Sequence, residues 1–151
     1  MILEKLSPEQ VLSLLSSRIW RGFLAVVDDN RPYCFPVAHV VHNNMLYFLF
    51  TKYGRKTRAL EKNNNVCYAC LERVENMYIS VIVEGRLEKE KDIEVLKQVV
   101  DKFIREIFPR DPYFKGFSSD RDTIVQMIVD GKIPGVYKLV IHNVDALIVR
   151  E

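Results

Sequence analysis

The chain has no long apolar run. No uncharged apolar stretch reaches the ~17 residues that a membrane-crossing helix needs at minimum, so a helical span is excluded. It also lacks an excess of one charge. Its 22 basic and 20 acidic residues leave a net charge of +2, which argues against a dedicated nucleic-acid binder with a strongly basic face. Cysteine is scarce: Cys34, Cys67 and Cys70 are too few, and odd in number, for a disulfide framework, and reduced thiols are expected. Repeats, low-complexity tracts and interdomain linkers are absent from the sequence. The first six residues, Met-Ile-Leu-Glu-Lys-Leu, carry an acid and no apolar core of signal-peptide length, so a cytoplasmic location is expected.

What the chain does have is 48% apolar and 28% charged residues, a composition that folds. Its 151 residues suit one domain, 1–151, that buries roughly two thirds of the unfolded surface. Ser7-Pro8-Glu9-Gln10 reads as a capping box opening a helix, with Val11, Leu12, Leu14, Leu15 and Ile19 as its apolar stripe. From Gly22 the pattern becomes β. Strands are expected over Phe23–Val27, Arg31–Val41 and Met45–Phe50, with turns at Asp28-Asp29-Asn30 and His42-Asn43-Asn44. Pro32 and Pro36 make the second strand irregular or place it at an edge. A short helix over Arg55–Lys62 with Ala59 and Leu60 facing inward precedes strands Val66–Leu71 and Met77–Leu87. Helical spacing then runs from Lys89 to Phe108 and again from a Ser118-Ser119-Asp120 cap to Val129, closed by Gly131. Two final strands, Val136–Ile141 and Ala146–Val149, are expected around a His142-Asn143 turn. The sum is a mostly β fold, a closed or half-closed β barrel with peripheral helices.

Gly54-Arg55-Lys56-Thr57-Arg58 is the informative stretch. A helix start carries unpaired amides and a partial positive charge, so acids are favoured there. Arg55, Lys56 and Arg58 cost a few tenths of a kcal/mol each unless an anion sits among them, and a phosphate would satisfy amides, guanidinium and ammonium together. On spacing alone a solvated basic surface helix explains the same residues. Cys67-x-x-Cys70 lies in a strand, where residues three apart face opposite ways, and no further ligands match a zinc spacing, so no metal is expected. His42 and His142 read as turn residues, and Asp28-Asp29 as turn chemistry rather than a carboxylate pair.

Read together, Gly22 to Tyr33, Pro36-Val37, Leu46 to Lys56, Leu60 and Asn64 to Cys67 resemble the pyridoxamine 5′-phosphate oxidase-like proteins, including the branch that holds nitroimidazole-resistance proteins. The resemblance implies a six-stranded, FMN-binding split β-barrel that dimerises with the flavin at the interface. By position, Arg55 and Lys56 would hold the flavin phosphate, and Phe50 and Thr51 would line ring and ribityl chain. Pro36, Val37, Ala38 and His39 would run beside the isoalloxazine, although a satisfied structural histidine also explains His39. Ser80 lies where relatives often carry a polar ligand. Leu49 stands where the nitroimidazole branch often has histidine, and the single tryptophan, Trp20, lies far from the C-terminal Trp/Arg signature of the true oxidases. Vitamin B6 oxidation is therefore not implied. The expectation is an FMN-dependent oxidoreductase acting on a small molecule, the alternatives being a non-catalytic flavin or haem binder, or a deazaflavin reductase.

Overall fold

A computed structural model describes residues 2–150. Eight strands form one antiparallel sheet: β1 (Ile2–Lys5), β2 (Arg21–Asp28), β3 (Arg31–Ala38), β4 (Val40–His42), β5 (Met45–Phe50), β6 (Asn65–Val74), β7 (Met77–Lys89) and β8 (Gly135–Arg150). Four α-helices accompany them: α1 (Pro8–Ser17), α2 (Arg55–Lys62), α3 (Ile93–Lys102) and α4 (Arg121–Val129). Among the described residues no helix is long and apolar enough to cross a membrane.

The strand order is β3-β2-β6-β7-β8-β5-β4, with β1 added beside β8. β3 and β4 lie at opposite ends of this order, yet only His39 separates them in the chain. The sheet must therefore curl until its two edges meet at His39, which is how a half-barrel arises from one antiparallel sheet. Two-residue turns drive the meander. Asp29-Asn30 and Asn43-Asn44 all adopt positive φ (45°, 66°, 50° and 60°), the backbone that matches strand twist and that Asn and Asp tolerate.

Several sequence expectations change in detail. The run Arg31–Val41 is not one strand but two, broken at His39, because the chain there leaves β2 for β5. β3 is an edge strand, where Pro32 and Pro36 cost no ladder bond. The His142-Asn143 turn does not form: β8 runs unbroken, and the register against β7 slips between Glu84 and Gly85 instead. This bulge absorbs one residue of β8, so two polar residues stay in a strand. Gly85 is required there, since a Cβ would stand 2.0 Å from the Val140 carbonyl oxygen. β1, four residues long, and the extra segment β4 bring the strand count above the six that the resemblance implies. The Lys89–Phe108 helix begins only at Ile93, because β7 extends through Lys89, and it continues as a π-helical turn over Phe103–Ile107.

Two apolar clusters form. Leu24, Phe35, Phe48, Phe50, Tyr68, Ile79 and Val81 fill the inside of the curl. Tyr47, Leu49, Leu96, Phe103, Ile124 and Val136 join the outside of β5 to α3 and α4. β5 thus sends alternate side chains into both, as a strand covered on both faces should.

His39 sits where the edges meet, 1% exposed. Its backbone N–H donates to the Trp20 carbonyl at 2.9 Å. Its Nε2 lies 2.9 Å from the Leu15 carbonyl oxygen, which can only accept, so Nε2 carries the proton and Nδ1 accepts from the Tyr68 hydroxyl. Burial pushes its pKa from 6.5 down to about 4, and the Leu15 carbonyl opposes this only partly. The folded chain thus keeps His39 neutral where the unfolded chain protonates it. That stability is full above pH 6.5 and is lost as pH falls from there through about 4, a loss of about 3 kcal/mol. Chemical denaturation between pH 7.5 and 4 should show it, and His39→Gln should be less stable at pH 7.5 but flatter over this range.

Candidate functional site

A cleft of about 190 Å³ opens beside the junction at His39. Its floor is the end of β3, Pro36 to Ala38. One wall is Leu49 and Phe50 from β5 with Lys56 from α2. Trp20 and Arg21, leading into β2, close one end, and Asp111 to Phe114, between α3 and α4, cover another side. The lining is mainly apolar and aromatic with a few charges, as ligand sites usually are.

Lys56 carries the main electrostatic feature. Its ammonium lies 4.7 Å from the ring centre of Phe35 and 5.4 Å from those of Phe50 and Tyr113. No carboxylate pairs with it among the described residues. Its helix is also unlike the others. Ser7, Asp92 and Asp120 cap α1, α3 and α4 with side-chain oxygens, and each first turn holds an acid. α2 starts at Gly54 with no side-chain cap and no acid, and its first backbone bond runs from Arg58 to Gly54. The Thr57 hydroxyl serves Gly54 itself, accepting from its N–H at 2.9 Å and donating to its carbonyl at 3.0 Å. The amides of Arg55 and Lys56 are left for an outside acceptor.

The structure brings Pro36, Val37, Ala38, Phe50 and Lys56 together in this cleft. Thr51 stands at its margin, its hydroxyl donating to the Tyr113 oxygen at 3.2 Å. Arg55 lies next to Lys56 but is turned to Asp28, with Nε 2.7 Å from Oδ2 and its guanidinium 4.0 Å over the Tyr33 ring. His39 follows Ala38 in the chain, yet its ring points inward and both nitrogens are used. Ser80 lies on the outer face of β7, opposite Leu71 and Leu147, because its neighbours Ile79 and Val81 point into the core. The structure does not place these last two in the cleft. Cys67 and Cys70 point to opposite faces of β6, and burial pushes the Cys70 thiol up to about 12. Sequence reasoning missed Trp20, Arg21 and the Asp111–Phe114 wall. Trp20 is the sole tryptophan and immediately precedes a strand, a usable signal; the wall was legible only as the Pro109 and Pro112 breakers.

A family model described as pyridoxamine 5′-phosphate oxidase matches residues 7–130, and the chain belongs to this family. No curated protein matches it. Among solved structures it resembles a FAD-binding protein of Mesorhizobium loti, with TM-score 0.74 and 20% identity over 99% of both chains. It also resembles a candidate 5-nitroimidazole antibiotic resistance protein of Bacteroides thetaiotaomicron, with TM-score 0.67 and 20% identity over 97% of this chain and 87% of that one. A FAD-binding protein of Mycobacterium smegmatis gives TM-score 0.63 and 17% identity over 99% of this chain and 100% of that one. The split-barrel fold is shared with all three.

The Arg55–Asp28 pair is half exposed on the arginine side, so it is worth at most about 1 kcal/mol. Asp28→Asn should therefore lower folding stability by less than about 1 kcal/mol in urea titrations. A loss of several kcal/mol would make the pair a structural tie rather than a positioned cation.

Proposed function

We propose that this chain is a cytoplasmic, FMN-binding oxidoreductase acting on a small molecule. The observation that carries the reading is Lys56: among the described residues, an ammonium without a carboxylate, set among three aromatic rings, at the one helix start that has neither a side-chain cap nor an acid. That donor set fits a phosphate monoester. Lys56 and the first amides of α2 hold it, and Asp28 keeps the neighbouring Arg55 guanidinium extended beside it. Pro36, Val37 and Ala38 support the flat ring, flanked by Phe50 and Thr51. His39 acts from behind, fixing the backbone of this strip through its buried bonds. When bound, a flavin supplies the redox chemistry by hydride or single-electron transfer, and the protein supplies binding, orientation and exclusion of water. Among the described residues, no histidine or cysteine lines the cleft to serve as a haem ligand.

The same reading makes the protein a homodimer with the flavin at the interface. Phe23, Leu71, Ile82 and Leu147 are 58%, 70%, 39% and 39% exposed and lie on one outer face across β2, β6, β7 and β8. An apolar patch of this kind marks an association surface. It reaches the cleft through Arg21 and Pro36, which border both. The cleft's volume is below the roughly 300–1,000 Å³ usual for a complete ligand site, as expected where a second copy adds a wall. Ser80 stands on that face, so any contact it makes with the flavin runs across the interface.

Freshly purified protein should show flavin absorbance, and mass spectrometry of the released ligand should give FMN rather than FAD or a deazaflavin. A colourless protein that takes up no added FMN would sink the proposal. Arg55→Ala with Lys56→Ala should leave folding intact and weaken flavin binding on the order of a hundredfold to ten-thousandfold, the worth of two charge-assisted bonds. Light scattering should report a dimer that Leu71→Arg shifts toward monomer.

A further inference from the structure

We propose that Tyr113 is a latch over the Lys56 end of the cleft, and that the short turn carrying it swings aside to let a ligand enter and leave. The inference rests on the reading above only for the identity of that ligand. The turn, Pro112–Phe114, lies between α3 and α4, and its hydrogen bonds are almost all local. The Tyr113 N–H donates to the Asp111 carboxylate at 3.0 Å. The N–H groups of Phe114, Lys115 and Phe117 donate to the carbonyls three residues back, those of Asp111, Pro112 and Phe114. Among the described residues, one bond alone joins Pro112–Phe117 to a distant part of the chain, that between the Thr51 and Tyr113 hydroxyls at 3.2 Å.

Packing divides the turn in two. Phe114 is buried, its ring stacked on Phe108 at 4.5 Å and 6.3 Å from that of Phe103. Tyr113, the residue before it, is 49% exposed and stands edge-on to Phe114. Phe114 is thus a fixed pivot and Tyr113 a free arm. In the closed position the arm covers the cation, with the Tyr113 ring centre 5.4 Å from the Lys56 ammonium. A cation over an exposed ring is a weak contact, and a neutral hydroxyl bond is worth a factor of roughly two to ten in equilibrium. Such forces keep the arm mostly closed, yet they break without unfolding the core beneath it, as a lid requires. Tyr113 therefore acts through access to Lys56 and not through contact with the bound ligand, and kinetics separates the two.

Hydrogen exchange of flavin-free protein, read by mass spectrometry, tests the latch without any ligand. Tyr113→Phe keeps the ring and removes one hydroxyl, and Thr51→Val removes the other. Each should speed amide exchange across Asp111–Phe117 by roughly two- to tenfold and leave α3 unchanged. The effect of Thr51→Val is the more telling, because that residue lies 62 positions away in the chain. Stopped-flow mixing with FMN then reads what the latch controls. In Tyr113→Phe, association and dissociation should quicken by the same factor and leave the affinity unchanged. A protein that takes up no FMN sinks the cofactor reading, and the exchange measurement still judges the latch. Unchanged exchange in both variants would overturn the proposal, and so would FMN rates that do not move in Tyr113→Phe. A fall in FMN affinity with no gain in association rate would also overturn it, since the hydroxyl would then be a ligand and not a latch.

Discussion

The buried contact of His39 with Leu15, Trp20 and Tyr68 is the constraint on which the rest of the molecule depends. An antiparallel sheet has two edges, and here one chain segment belongs to both. The residue between β3 and β4 must leave one edge and join the other inside the protein, where polar atoms need partners. His39 meets this with its backbone N–H and both ring nitrogens. Its partners come from α1, from the link to β2 and from the middle of β6, so one residue, through its backbone and its imidazole, ties three distant parts of the chain to the closing seam.

The cleft is a by-product of that seam. The bond from His39 to the Trp20 carbonyl fixes the residues that enter β2, and these form one end of the cleft. Closing the curl sets Phe35 against Phe50, whose rings lie 6.2 Å apart, and Lys56 rests over both. The helical layer supplies the remaining side through a short 3-10 turn, Pro112–Phe114, whose Phe114 side chain anchors in the second core. Site and fold are therefore not separable here: each wall is also the end of a structural element.

Much of this was legible in the sequence, for local reasons. The capping box at Ser7 and Gln10, the Asn-rich turns and the Gly-Arg-Lys helix start are signals carried by adjacent residues, and each appears in place. What escaped was long-range. The break at His39 reflects a topological crossing that no local pattern encodes. The continuity of β8 depends on a glycine in β7, far away in the chain, that leaves room for the bulge. Arg55 could be placed beside Lys56 from sequence, but not its capture by Asp28, which follows from the β2–β3 turn folding over α2. Trp20 and Arg21 were invisible as cleft residues because their position is set by the seam rather than by their neighbours.

The double burial of β5 has a further consequence for motion. With one face in the barrel and the other under the helices, and with β8 hydrogen-bonded along Leu46–Phe50 and β4 added at Met45–Tyr47, β5 has the features of a slowly exchanging part of such a domain. β3, across the cleft, has one unpaired side and two prolines. The cleft thus lies between a wall that opens only with the whole protein and a floor that can breathe on its own. A ligand seated there would slow amide exchange in β3 far more than in β5, so binding would be recorded in the edge strand while the central strand stayed silent.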